Sequence, residues 1–459
     1  MKRIWLMALA LLLIFPSCFS RVLAEEGAVE LFTSGDFEYR VLADGTVEIA
    51  NYTGAAESVE VPGSLDGLIV TSIGNKAFYK HEGFVSITLP DSITIIGEMA
   101  FAMCSSLTSI TIPEGVASIE DGTFAGCRSL ISITIPESVT SIGKQAFYFC
   151  PSLVSIIIPN NITSIGEKAF CDCRNLASIT IPENITNIKV GTFSGCESLV
   201  SITIPEGVTS IENGAFGRCS SLTSISLPNS LASIGEYAFA RCSSLVSITL
   251  PEGISNIENS TFIWCTELTN ITLPDSITSI GERAFQECSS LTSISIPSKV
   301  TSIEAGTFFM CTGLTSITLP DSITRIEDYA FNRCISLTTL SLPDSITSIG
   351  DYAFNLCIGL GSIILPDKLT SIGECTFSEC ISLAYVTIPN GVTSIDYKAF
   401  YDCENLATVT IPESVTSIED DAFWECKSLE SVLVEPDSYA HLYCMDNDLP
   451  YTLSDQNPS

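Results

Sequence analysis

The chain has 459 residues, 46% apolar and 16% charged, with 53 acidic residues against 20 basic ones and a net charge of −33. The apolar content excludes a chain disordered throughout. The acidic excess excludes a nucleic-acid partner, which needs a basic face, and disfavours an anionic membrane surface.

The chain opens with a basic Met1-Lys2-Arg3, followed by a continuous apolar run over residues 4–15. That run is short for a membrane span. Val22-Leu23-Ala24 then offers small residues at the two positions that matter for cleavage, just before Glu25-Glu26. The layout predicts a secretory signal peptide over residues 1–24 and a secreted or cell-surface product. Cys18 follows Phe15-Pro16-Ser17, a poor match to a lipoprotein box, so a lipid anchor there is the minor alternative. No later run is long and apolar enough to predict a transmembrane span.

Residues 25–62 read as an N-terminal cap. Two strand-like runs, 37–42 and 46–51, flank Asp44-Gly45, a favoured hairpin turn. Val59-Glu60-Val61-Pro62 reads as a degenerate strand of the first repeat, and the step from Pro62 to Val70 is five residues longer than its later counterparts.

Over residues 63–434 one 23-residue period dominates. Phenylalanine recurs sixteen times from Phe78 to Phe423, and isoleucine sixteen times from Ile73 to Ile418. Proline (Pro90 to Pro412), cysteine (Cys104 to Cys426) and leucine (Leu107 to Leu429) recur fifteen times each. A unit this small cannot cover its own apolar face, so stacked neighbours must share one core. In one copy the inward columns are Leu107, Ile110, Ile112, Val116, Ile119, Phe124 and Cys127. Leu107, Ile110 and Ile112 fit the strand of a leucine-rich repeat, with Ser109 and Thr111 alternating outward. Pro113 lacks an N–H and ends the strand. Val116 and Ile119 make a second extended step, and residues 120–127 bend back with a short helical or 3-10 turn around Phe124. The predicted fold is a β-rich leucine-rich-repeat solenoid of about sixteen repeats with parallel strands. Residues 435–459 supply a C-terminal cap, with a short capped helix at 437–444 and a loose tail.

The unit S-L-T-S-I-T-I-P-x-x-V-T-S-I-G-x-x-A-F-x-x-C resembles the BspA-like leucine-rich repeat family of bacterial and protist surface proteins. Residues 39–78 resemble that family's N-terminal start through Asp44-Gly45-Thr46, Tyr52-Thr53-Gly54 and Val70-Thr71-Ser72-Ile73-Gly74. The stretch from Ser438-Tyr439-Ala440 to Leu449-Pro450-Tyr451 resembles its ending, so the likeness spans about residues 37–451. Two departures stand out. Glu114-Gly115 occupies the region of the usual asparagine ladder, and Cys127 and its equivalents replace a final leucine. The resemblance implies a secreted or surface-displayed interaction protein, with adhesion to host or extracellular-matrix proteins as its expected role.

The cysteine column reads as small buried hydrophobes rather than a disulfide or metal framework. Its side chains point the same way and number fifteen, an odd count. Cys375, five residues from Cys380, is the one local pair with a spacing open to a disulfide. The residue after the repeat proline is acidic in eleven of fifteen copies, and Glu98, Asp121, Glu167, Glu236 and Glu282 add acids at the next corner. These rows read as solvated faces that keep a repetitive array soluble, with cation binding the sharper alternative. Large apolar residues break the pattern at Phe149, Trp264, Phe309, Met310, Tyr385 and Trp424, and these are the candidate binding positions.

Nothing predicts an enzyme. His81 and His441 stand at opposite ends of the array, and no nucleophile elbow, phosphate-binding glycine loop, zinc motif or cofactor-binding motif occurs. The sequence therefore predicts a protein-binding or adhesive surface protein. Glycan binding through the hydroxyl columns, or a coat or spacer role without a dedicated ligand, are the alternatives.

Overall fold

The computed structural model describes residues 30–454. The expected signal peptide, Cys18 and the tail beyond residue 454 lie outside the described residues. What is described is a β-solenoid of about 18 turns.

Two stacks of short parallel strands run its length, hydrogen-bonded as ladders in runs of two to four strands. In the first, Ser109–Thr111 pairs with Ser132–Thr134 in strict register, serine on serine, isoleucine on isoleucine, threonine on threonine. This ladder begins at Ser58–Glu60, the strand foreseen as degenerate, and ends at Tyr451–Leu453. In the second, Ser118–Ile119 pairs with Ser141–Ile142, and the series runs from Val47–Tyr52 to Ser417–Ile418. The proline between the ladders forces a tight turn, in which the Val116 N–H donates to the Pro113 carbonyl at 3.1 Å. Side chains alternate in and out as the strand period requires: Ile110 and Ile112 are buried while Ser109 and Thr111 face solvent.

A third ladder, not foreseen from the sequence, runs through the arch around each repeat phenylalanine. The N–H groups two residues before it, at it and two residues after it donate to carbonyls of the next arch. Gly122, Phe124 and Gly126 donate to Lys144, Ala146 and Tyr148 at 2.8, 2.8 and 2.7 Å. The same triplet recurs at every step from Lys76-Phe78-Lys80 to Lys398-Phe400-Asp402. Within an arch, hydrogen bonds between residues three apart give the 3-10-like turns expected around Phe124: Ala125 N–H to Gly122, and Cys127 N–H to Phe124. They do not join into a helix, because the residues two before and two after the phenylalanine are left-handed in every arch, as at Gln145 (φ 55°) and Phe149 (φ 55°).

A left-handed backbone costs a non-glycine residue about 1–2 kcal/mol, a cost the three inter-arch bonds offset. Gln145→Val should therefore lower stability by about 1–3 kcal/mol, because a β-branched side chain is the least tolerant of this conformation. Gln145→Gly, matching Gly122 one repeat earlier, should be neutral or stabilising; thermal denaturation of the two variants distinguishes them.

The core is one stripe. The repeat phenylalanines from Phe78 to Phe423 form a continuous stack, with neighbouring ring centroids 5.2–5.8 Å apart and planes within 20°. Both ends are closed by different structure. At the N-terminus the hairpin of Phe37–Val41 and Val47–Tyr52 forms as expected, and a further strand, Phe32–Ser34, adds antiparallel to it. Tyr52 stacks on Phe78 at 5.4 Å, and its N–H donates to the Ala77 carbonyl at 2.9 Å. The five extra residues after Pro62 fold as a small antiparallel pair, Ser64–Leu65 on Leu68–Ile73. At the C-terminus the helix Tyr439–Asp446 is capped by the Ser438 hydroxyl, which accepts from the His441 N–H.

Candidate binding surfaces

The cysteine column is buried except at half-buried Cys426, and every described cysteine is a free thiol, Cys375 and Cys380 included. Its geometry shows more than small hydrophobes. Each of the fifteen thiols, from Cys104 to Cys426, lies 3.0–3.3 Å from the carbonyl of the phenylalanine in the preceding arch and donates to it. Burial pushes the thiols of Cys265, Cys311 and Cys357 up to about 12, which keeps them protonated and able to donate. The column is thus a side-chain ladder that ties arch to arch. Cys375 stands apart from it, at a left-handed corner (φ 50°).

The histidines are also structural. The His81 ring contacts the Tyr52 carbonyl at 2.6 Å, and the His441 ring accepts from the Asp437 N–H.

The acids fall into two groups. The eleven that follow the repeat proline are all exposed. Several at the corner do structural work: Asp121, Asp328 and Asp351 each accept a backbone N–H from the next repeat at 2.6–2.9 Å, and Glu167 pairs with Lys144 at 2.9 Å. Among the described residues no group of three or more histidine, cysteine or acidic side chains is arranged to hold a metal.

The first ladder presents a flat face of serine and threonine hydroxyls. Tyr385, one of the sequence candidates, interrupts the serine column and is 54% exposed. The two most exposed large apolar side chains also lie on this face and were missed: Ile157 at 84% and Ile364 at 82%. Each stands where other repeats carry threonine or serine, so an isoleucine assigned to an outward column was the available signal. Ile364, just after the strand Ser362–Ile363, and Tyr385 lie in adjacent repeats, whereas Ile157 is nine repeats away and shares its neighbourhood with exposed Val154 and Ile131.

The remaining candidates lie on the arches. Phe149, Trp264 and Met310 occupy the same left-handed position, two residues after the repeat phenylalanine (φ 55°, 60° and 58°). This position pushes their side chains out of the core column and leaves them half-buried. The Arg241 guanidinium covers the Trp264 ring at 4.2 Å, and Arg128 lies over Phe149 at 5.2 Å. Trp264 and Phe309 meet in one slot of about 350 Å³, shared with Arg283, Gln286 and Tyr329. Gly306 provides the opening; a side chain there would meet Arg283 and Phe309. Tyr329 continues the run by stacking on Tyr352 at 4.9 Å. Trp424, 59% exposed, lies far from these, in a cleft of about 650 Å³ between the last arch and the C-terminal cap. The six candidates therefore define four separate places, not one site: Phe149 stands five repeats from the Trp264–Phe309 slot, and Tyr385 and Trp424 lie apart from both.

The profile described as "BspA type Leucine rich repeat region (6 copies)" matches residues 71–200, 187–315 and 301–430. The chain belongs to this BspA-type leucine-rich repeat family. Among solved structures, a leucine-rich repeat protein from Bacteroides ovatus is 27% identical over 92% of this chain and 100% of its own, with a TM-score of 0.65. The leucine-rich repeat protein of T. pallidum is 36% identical over 41% of this chain and 89% of its own, with a TM-score of 0.40. A leucine rich cell surface protein from Faecalibacterium prausnitzii is 27% identical over 95% of this chain and 100% of its own, with a TM-score of 0.41. No curated protein matches the chain. BspA-type membership fixes a repeat scaffold. Among the described residues no helix is long and apolar enough to cross a membrane.

Proposed function

We propose that this BspA-type protein is a secreted or surface-displayed, non-enzymatic scaffold that binds other proteins and adheres to host or extracellular-matrix proteins. The observation that carries the reading is the exposed apolar set on the first-ladder face, Ile364 with Tyr385 and, nine repeats away, Ile157. A soluble array has no packing reason to place isoleucine at a hydroxyl position, and aromatic and aliphatic anchors on a polar field are the usual make-up of a protein-binding patch.

Saturation binding of the purified protein to a panel of matrix proteins and glycans tests this. The double variant Ile364→Thr/Tyr385→Ser restores the repeat pattern and so preserves the fold. It should weaken protein binding at least about tenfold, a loss of some 1.4 kcal/mol or more. Unchanged affinity in that variant and in Ile157→Thr would exclude this face. A glycan-binding reading is favoured by the Trp264–Phe309 slot, which combines aromatic faces with Arg283 and Gln286. It requires competition by free sugar and loss of binding in Trp264→Ala. Absence of saturable binding anywhere on the panel would favour the coat or spacer role.

A further inference from the structure

The arch ladder stops abruptly. Every arch up to Lys398-Phe400-Asp402 gives three N–H groups to the next one; the last arch has no successor. The N–H groups of Asp421, Phe423 and Glu425 find no acceptor among the described residues. The N-terminal end is different, since there the Ala77 carbonyl is already engaged by the Tyr52 N–H. The C-terminal helix packs near the ends of the two strand ladders and leaves the arch end facing the 650 Å³ cleft. That cleft is lined by the three donor residues themselves together with Trp424, Tyr397 and Tyr443. A buried donor without a partner costs free energy, and Phe423 is only 3% exposed.

What would satisfy the three donors is set by their surroundings. An anion matches N–H groups but is repelled by the carboxylates of Asp420, Asp421 and Glu425 on the same rim. Glu425 shares Lys427 with Glu404 and Asp402, but Asp420 and Asp421 make no salt bridge among the described residues. Burial, with smaller contributions from Cys444, Asp420 and Asp421, pushes the Tyr443 hydroxyl up to about 12, and the Asp420 and Asp421 carboxylates on the rim give the cleft a negative side. Neutral carbonyls on a backbone that also carries cationic side chains fit both demands. A second copy stacked head to tail does not fit, because its N-terminal cap already sits on its first arch, with Tyr52 stacked on Phe78 and its N–H donating to the Ala77 carbonyl.

We propose that the open end of the arch ladder docks an extended, basic segment of a partner protein, whose alternate carbonyls accept from Asp421, Phe423 and Glu425 and whose lysine or arginine side chains lie against Trp424 and the carboxylate rim. The segment takes the place of the missing next arch, in the manner of strand addition at a sheet edge. This inference rests on the protein-binding reading and adds a second surface to it.

The probe is a blocked heptapeptide of alternating threonine and lysine, titrated into purified protein beginning at residue 25 and carrying Trp264→Phe. Trp424 is then its one tryptophan, since the third, Trp5, precedes residue 25. A saturable change in tryptophan emission is expected, at least tenfold tighter than for the glutamate analogue of the peptide. The double variant Asp421→Gly/Glu425→Gly should weaken binding at least tenfold while folding normally, because glycine stands at the same left-handed columns in Gly122 and Gly126. Equal response to spermine, a cation without carbonyls, would overturn backbone capture, as would equal binding of the glutamate peptide or unchanged affinity in the double variant. Deletion of residues 455–459 is the arm for the chain's own tail. If it creates binding that the full protein lacks, the tail is the occupant and the proposal fails. Matrix-protein binding by the double variant separates the two readings: retained binding alongside lost peptide binding leaves the ladder-face reading standing.

Discussion

Raising the pH above 9 should unfold this protein cooperatively, with a midpoint near about pH 10–11. The cause is the thiol ladder. In the folded state burial holds Cys265, Cys311 and Cys357 near 12, against an ordinary thiol value of 9.0. Because the folded value is the higher one, the protonated thiols contribute their full stability below pH 9. Above it, the unfolded chain releases protons that the fold retains, and stability falls until the pH reaches the folded value. Three pH units correspond to about 4 kcal/mol per thiol. A few such thiols match the whole stability of an ordinary domain, about 5–15 kcal/mol. Circular dichroism across pH 7–12 measures the transition. A companion result should hold at pH 8, where a thiol reagent finds almost no reactive ladder cysteine until denaturant is added, with half-buried Cys426 the first to react. A fold that persists at pH 12, or ladder thiols that react freely in the native state, would contradict the hydrogen-bonded ladder.

The second large effect is expected at the middle of the phenyl stack. Phe239 is fully buried and packs on Phe216 at 5.7 Å and Phe262 at 5.6 Å. Phe239→Ala should cost about 3–5 kcal/mol. Coupling between repeats is nearest-neighbour only, so the loss falls on the two interfaces that hold the halves of the array together. Denaturant unfolding should then separate into two transitions in Phe239→Ala, whereas Phe423→Ala, with a ring on one side only, should stay single and lose less. A single unshifted transition in Phe239→Ala would show that the strand ladders, not the stack, carry the coupling.

The solenoid was legible in the sequence because its core columns are chemically uniform: one phenylalanine, one cysteine, one proline and one leucine per period. The arch ladder was not, because its left-handed columns hold lysine, arginine, tryptophan, glutamate and glycine without preference. A faint signal did exist. Valine, isoleucine and threonine, abundant elsewhere, never occur two residues before or after the repeat phenylalanine, as the steric penalty on β-branched residues at positive φ requires. The cysteine column was read correctly as buried and unpaired, but its donor role depends on where the preceding phenylalanine carbonyl lies, which no periodicity reveals. Among the surface candidates, the aromatic breaks in the repeat pattern pointed to Tyr385 and Trp424, both exposed. The pattern gave no such break at Ile157 and Ile364, whose residue type matches the core and whose exposure follows only from the column they occupy.

Strict register between identical neighbours has an evolutionary corollary. Because Ser109–Thr111 meets Ser132–Thr134 in the same register as the other paired strands of the array, a whole 23-residue unit can be gained or lost in frame without disturbing either cap. Each such event changes the reach of the molecule by one strand spacing, about 4.8 Å. Length is therefore a trait that duplication and slippage can adjust in uniform increments, independently of the residues that decorate each turn.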